Sequence, residues 1–189
     1  MKEKILAACF DRFRDEETCV SKEAYLWLKK KEEGAFSARL LTVSWEKNQE
    51  EMELIRREDW KAVVFLGNGR GEEHKIEKLG LNAQGTNILD NQDKRCQGDV
   101  ILKEGKAAYF ATWNTERLQE ELRNNQIPCR ISYYPGLFLC NGSLYRSLYY
   151  ESLKETKRPT VLLHLSPERP IAKDLPGILK ALEDSLALF

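Results

Sequence analysis

The sequence has no apolar stretch near the roughly 18 residues needed to cross a bilayer, so no membrane span is expected. Its longest such runs are of the order of Ile5 to Phe10 and Val161 to Leu163. It also has no surplus of either charge. The 30 Lys+Arg balance the 30 Asp+Glu, which removes the basic excess by which proteins hold nucleic acid or anionic lipid through net electrostatics and leaves only local patches. There is no Cys-x-x-Cys pair. Cys9, Cys19, Cys96, Cys129 and Cys140 form an odd set that fits neither a disulfide framework nor a zinc site and reads as free thiols in a reducing compartment. The apolar segment after Met1-Lys2-Glu3-Lys4 is cut short by Asp11-Arg12, below the roughly 7–15 residues of a signal-peptide core, so a cytoplasmic location is expected. Internal repeats and low-complexity tracts are missing too.

What remains is an ordinary globular composition, 42% apolar and 32% charged over 189 residues, enough chain for one domain spanning residues 1–189 with its own core. Lys4 to Phe10 reads as a strand buried on both faces, Val20 to Glu33 as an amphipathic helix stopped by Gly34, and Phe36 to Ser44 as a second strand. An acidic helix follows from Trp45 to Arg57, then a third buried strand from Ala62 to Leu66. From Gly67 to Asp99 the chain turns polar and glycine-rich, which predicts loops around short strands, too long to be an idle connection. Regular alternation resumes with strands at Ala107 to Ala111, Ile127 to Tyr133 and Thr160 to Leu165. Between and after them lie helices at Thr115 to Asn125, with Thr115 as N-cap, at Leu139 to Leu153, and at Asp174 to Leu188. Alternating strands and helices imply an α/β fold, a three-layer α/β/α domain with a largely parallel, mixed sheet. Ligands in such sheets bind beyond the carboxyl ends of the strands, which directs attention to Phe10 to Asp15, Gly67 to Gly71, Tyr133 to Cys140 and His164 to Pro167.

Two residues there, and a third in the long loop region, are candidates for chemistry. Cys140 falls near the start of a predicted helix, where the macrodipole favours thiolate, the form that attacks carbonyl carbon; the competing reading is a small buried hydrophobe beside Leu139. His164, late in its strand, can reach the start of a neighbouring helix and exchange a proton with a thiol and a leaving amine; the competing reading is a satisfied core histidine. Glu77, between Ile76 and Leu79 in the long loop region, is a candidate to orient the imidazole, against the default of a solvated surface charge. His74, among Glu72, Glu73 and Lys75, reads as a solvated loop residue. Gly67-Asn68-Gly69-Arg70-Gly71 looks like half of a dinucleotide fingerprint but follows the third strand with no helix behind it, so no nucleotide is expected. The run Lys29 to Glu33 reads as a solvated surface.

With these residues placed, the chain resembles the pyroglutamyl peptidase I family, the pyrrolidone-carboxylate peptidases. Gly136-Leu137-Phe138-Leu139-Cys140-Asn141 is similar to the family's Gly, two variable residues and Leu-Cys-Asn, with Cys140 at the nucleophile. Glu77 to Asn82 resembles the segment that opens with the catalytic Glu, Ile88-Leu89-Asp90-Asn91 resembles Ile-Pro-Asp-Asn, and His164 falls at the catalytic His. Phe10-Asp11-Arg12-Phe13 resembles Phe-Glu-Pro-Phe, whose two rings sandwich the pyroglutamyl lactam. The likeness runs in order along nearly the whole chain. It departs at Arg14-Asp15, where the family has Gly-Gly and these residues are expected to deny the loop the same permissive backbone. It departs also at Asn87, where the family has Arg, and in the altered loop Gly67 to Gly71.

The resemblance implies a cysteine peptidase that removes an N-terminal pyroglutamyl residue from peptides or small amides through an acyl-enzyme, with Cys140, His164 and Glu77 as catalytic residues and Phe10 and Phe13 binding substrate. Backbone N–H groups near Cys140 would form an oxyanion hole, and neither metal nor organic cofactor is required. Similar microbial enzymes form dimers or tetramers. Two other readings stay open: a binding homologue without turnover, and a Cys-dependent amidase with a different acyl group.

Overall fold

The structure, a computed structural model, describes residues 2–31 and 34–187. Eight strands and five helices follow one another among these residues. Strands β1 (Lys2–Phe10), β2 (Phe36–Leu41), β3 (Trp60–Asn68), β4 (His74–Glu77), β7 (Cys129–Ser132) and β8 (Thr160–Leu165) make one sheet in the order β2-β1-β3-β8-β4-β7. All neighbours run parallel except β4 and β8. β5 (Leu79–Leu81) and β6 (Ala108–Phe110) pair separately as an antiparallel ribbon, so the segment expected to continue the main alternation at Ala107 to Ala111 is diverted from the sheet.

β1, β3 and β8 are apolar over most of their length because both faces are covered. Along β1, Ile5, Ala7 and Cys9 enter one core and Leu6, Ala8 and Phe10 the other, as the period of two requires. The first core is closed by helices α1 (Val20–Lys29), α3 (Thr115–Asn124) and α5 (Ile171–Leu186). The second is closed by α2 (Trp45–Arg57) and α4 (Leu139–Ser152). The result is the expected α/β/α sandwich with a mixed sheet.

Several local readings need correction. α1 is described only as far as Lys29 rather than to Glu33, and Glu32 and Glu33 lie outside the described residues, as does Leu188 beyond α5. The cap of α3 is Asn114, whose side chain accepts from Arg117 N, not Thr115; the carboxamide reaches the orphan N–H from the residue before the helix. His74 is buried, not solvated. It opens β4, its Nε2–H donates to Asp174 Oδ2 at 3.1 Å, and its Nδ1 accepts from Ser166 N at 3.0 Å. Burial, helped by the Arg169 charge, pushes its pKa down against the pull of Asp174. Its charged neighbours in sequence concealed an alternation that sends His74 and Ile76 into the core.

The connection from β3 to β4 passes over the end of β8. Gly69 N donates to Leu165 O at 2.7 Å, and a Cβ at Gly69 would stand 2.8 Å from that oxygen, so the crossing tolerates no side chain. A second long segment, 82–107, is held by two polar hubs. Asn82 accepts from Ile101 N and Leu102 N and donates to Leu102 O and Gly105 O. Asp90, fully buried, accepts from the backbone N–H groups of Trp45, Gln92 and Lys94 at 2.8–2.9 Å. Burial would raise the Asp90 pKa, yet these bonds hold it below its ordinary value. Replacing Asp90 by Ala leaves three N–H groups without their acceptor and is expected to cost about 2–3 kcal/mol, measured by urea unfolding at neutral pH.

Candidate functional site

The carboxyl ends of β1, β3 and β8 and the amino end of α4 meet at a cavity of about 490 Å³. Its lining includes all five residues singled out in the sequence: Cys140, His164, Glu77, Phe10 and Phe13. None of them is elsewhere.

Each is positioned by a distinct element. Cys140 is the second residue of α4. That helix starts with no capping side chain and no acidic residue in its first turn, whereas α2 and α3 are capped by Ser44 and Asn114 and carry Glu46 and Glu116 there. Its positive end is therefore left unneutralised toward the cavity. Asn141 fixes the helix laterally, accepting from Leu81 N and donating to Leu81 O and Ala83 O at 2.8–2.9 Å. Gly80 lets β5 lie against α4, since a Cβ there would meet the Tyr145 backbone at 3.0 Å.

His164 lies on β8, its side chain 13% exposed, and Glu77 ends β4 with no exposure. The antiparallel pairing of these strands puts Glu77 Oε1 2.8 Å from His164 Nδ1. A carboxylate only accepts, so Nδ1 carries the proton and Nε2 faces the other way. On that side stands Cys140. A Cβ built on Gly67 would lie 2.9 Å from Cys140 Sγ and 3.4 Å from His164 Nε2, so the glycine at the end of β3 is the gap that admits sulfur and imidazole together. Burial alone would lower the His164 pKa, but its contacts with the Cys140 sulfur and the Glu77 carboxylate outweigh this and push it up to about 9. The two histidines are thus opposites. His74 has its second nitrogen filled by a backbone N–H, which suits only the neutral ring, while His164 turns its second nitrogen to a sulfur that favours the cation.

Part of the cavity wall is aromatic. Phe138, one residue ahead of α4, packs edge-on to Phe13 and Trp45 with centroids 5.2 and 5.1 Å away, and Phe10 is buried against Phe65. Phe13 sits in a loop whose next residue, Arg14, has φ 49°. The expectation that Arg14 denies this loop a glycine-like backbone is therefore overturned: Arg14 adopts the left-handed conformation itself. Its strain is offset by a clamp. Arg14 N donates to Asn91 Oδ1, Asn91 Nδ2 donates to Arg12 O, and the guanidinium pairs with Asp93. Asn87 is exposed and does not line the cavity.

The model of the family described as pyroglutamyl peptidase matches residues 3–178. This chain belongs to that family. Curated relatives named pyrrolidone-carboxylate peptidase include one from Thermococcus kodakarensis, 27% identical over 183 residues, covering 95% of this chain and 89% of the relative. Another, from a Thermoanaerobacter species, is 32% identical over 150 residues, 78% of this chain and 74% of its own. A crystal structure of a mutant pyrrolidone carboxyl peptidase from P. furiosus superposes with a TM-score of 0.87 at 23% identity, covering 98% of this chain and 100% of that one. Membership of the pyroglutamyl peptidase family makes the protein a hydrolase of the cysteine-type omega peptidases.

Sequence reasoning did not single out Gly67, Asn141 and Phe138 as working parts. The first was visible only within the strand-end loop Gly67 to Gly71, and the other two only as neighbours of Cys140. A raised His164 pKa has a thermodynamic sign. Its contribution to stability is complete below the ordinary 6.5 and is lost as pH rises through about 9. In Glu77→Gln the amide keeps the hydrogen bond and loses the charge, so the His164 pKa should fall in an NMR titration and the loss of stability between pH 6.5 and 9 should shrink.

Proposed function

We propose that the protein removes an N-terminal pyroglutamyl residue from peptides by a Cys-His-Glu triad through an acyl-enzyme. The observation that carries this reading is the convergence of Cys140, His164 and Glu77 around Gly67 at the edge of an aromatic pocket. The flat, uncharged lactam suits Phe10, Phe13 and Phe138, which offer apolar surface and ring faces without a charge to satisfy. Cys140 passes its thiol proton to His164 Nε2 as Sγ attacks the carbonyl carbon, and the oxyanion gathers toward the uncapped N–H groups at the start of α4. The C–N bond then breaks, with His164 giving its Nε2 proton to the leaving amine. The raised pKa of His164 supplies that proton at neutral pH. Water, losing its proton to the same nitrogen, cleaves the thioester to pyroglutamate and restores the thiol. Glu77 touches no substrate; it holds the tautomer and the charge of His164.

Release of a fluorophore from a pyroglutamyl amide under reducing conditions tests the assignment. Turnover is expected in the wild type and should fall by about 10³-fold or more in Cys140→Ser and His164→Ala. No turnover from folded, reduced wild type rejects it in favour of a different acyl group or a binding role. Gly67→Ala makes a finer test: a methyl 2.9 Å from Sγ displaces the nucleophile, and kcat should fall about 10²-fold with little change in fold by circular dichroism.

A further inference from the structure

The cavity lining is of two unlike kinds: Phe10, Phe13 and Phe138 are apolar, and Arg70, Lys75 and Glu16 are charged. The acyl group belongs against the apolar part, which leaves the charged part to the departing peptide.

Lys75 is placed there by register. It stands directly opposite His164 in the β4–β8 pair, and opposed residues point to the same face of a sheet. Its side chain therefore rises beside the imidazole that serves the leaving amine, two residues from Glu77 and on the same face. Lys75 is half-buried and Arg70 exposed at the rim.

The charges of the lining do not cancel. Asp11 pairs with Lys22 and Glu77 accepts from His164, while Glu16 accepts only from the neutral Asn68 Nδ2 and keeps its charge, one carboxylate against two cations. Cations in the same region that do not line the cavity are engaged too, Lys78 with Glu116, Arg130 with Glu73 and Arg14 with Asp93. Among the described residues, neither Lys75 nor Arg70 has a carboxylate partner. Two unpaired cations thus face the path of the leaving group.

We propose that Lys75 and Arg70 recognise a carboxylate on the residue directly after the pyroglutamyl group, making acidic or very short peptides the preferred substrates. The inference rests on the pyroglutamyl reading of the same site. A carboxylate there has two sources, the side chain of Glu or Asp and the free C-terminus of a dipeptide; both present the same anion to the pair, and a neutral or basic residue leaves the cations unmatched.

Four substrates separate the possibilities: pyroglutamyl-Glu-amide, pyroglutamyl-Ala-amide, pyroglutamyl-Lys-amide, and pyroglutamyl-Ala with a free carboxylate. In the wild type, kcat/KM for at least one of the two anionic substrates should exceed that for the Ala amide by about fivefold, with the Lys amide slowest, and the spread should narrow in high salt. Which anionic substrate gains identifies the source. In Lys75→Gln and Arg70→Gln the ratio of anionic to neutral substrate should fall toward one, and in Lys75→Glu the order should reverse. The ratio, not the absolute rate, is the readout, so a general loss of efficiency does not imitate it. Equal kcat/KM on all four substrates in the wild type overturns the proposal while leaving the pyroglutamyl reading intact. Failure to cleave even the Ala amide overturns both.

Discussion

A carboxylate with no exposure sits at the end of a strand in the main sheet, and most of the architecture around the site follows from satisfying it. Glu77 cannot remain charged in the interior without a partner, and the partner available is the imidazole of His164 on the adjacent strand. The pair works only because β4 runs against β8, the one reversal in an otherwise parallel sheet. That reversal in turn requires the chain to step from β3 across the end of β8 with almost no bulk, which Gly69 permits. The buried pair, the antiparallel step and the glycine crossing thus occur together, and the pair orients the ring whose far edge meets Cys140.

The same geometry divides the work between the two faces of the sheet. The histidine on the α5 side is filled on both nitrogens and kept neutral, a fastener between β4, β8 and α5. The histidine on the α4 side keeps one nitrogen for a sulfur and gains charge from its surroundings. Residue type and a neighbouring carboxylate are common to both. The difference lies in what occupies the second nitrogen, and that is decided by which way one strand residue points.

Fold class was legible because periodicity carries it. The continuous apolar runs at β1, β3 and β8 and the helical stripes at α2 and α4 allow few other arrangements, and Trp45 to Arg57 is found as read. The site was legible in its parts but not in its contacts. Cys140 and His164 stood at element ends, where a parallel sheet collects ligands, Glu77 was a candidate from its place between Ile76 and Leu79, and the ordered family motifs gave Phe10 and Phe13 their role. What could not be read was anything set by register across long separations: the diversion of β5 and β6 from the sheet, the burial of His74, and the role of Gly67 as the space shared by sulfur and ring. Arg14 was misjudged for a related reason. Its backbone is held by Asn91, 77 residues away, and no local rule reports such a clamp.

The tie between His74 and Asp174 spans 100 residues, and that between Glu77 and His164 spans 87. During synthesis, which runs from the amino end, β4 is made long before the strand it must lie against. Its only neighbours in the sheet, β7 and β8, are both later in the chain. A ribosome-bound chain therefore cannot bring Cys140, His164 and Glu77 together until β8 has emerged. The cavity is thus closed by the last strand of the sheet to be made, and until then β4 has only β7 to lie beside it in the sheet.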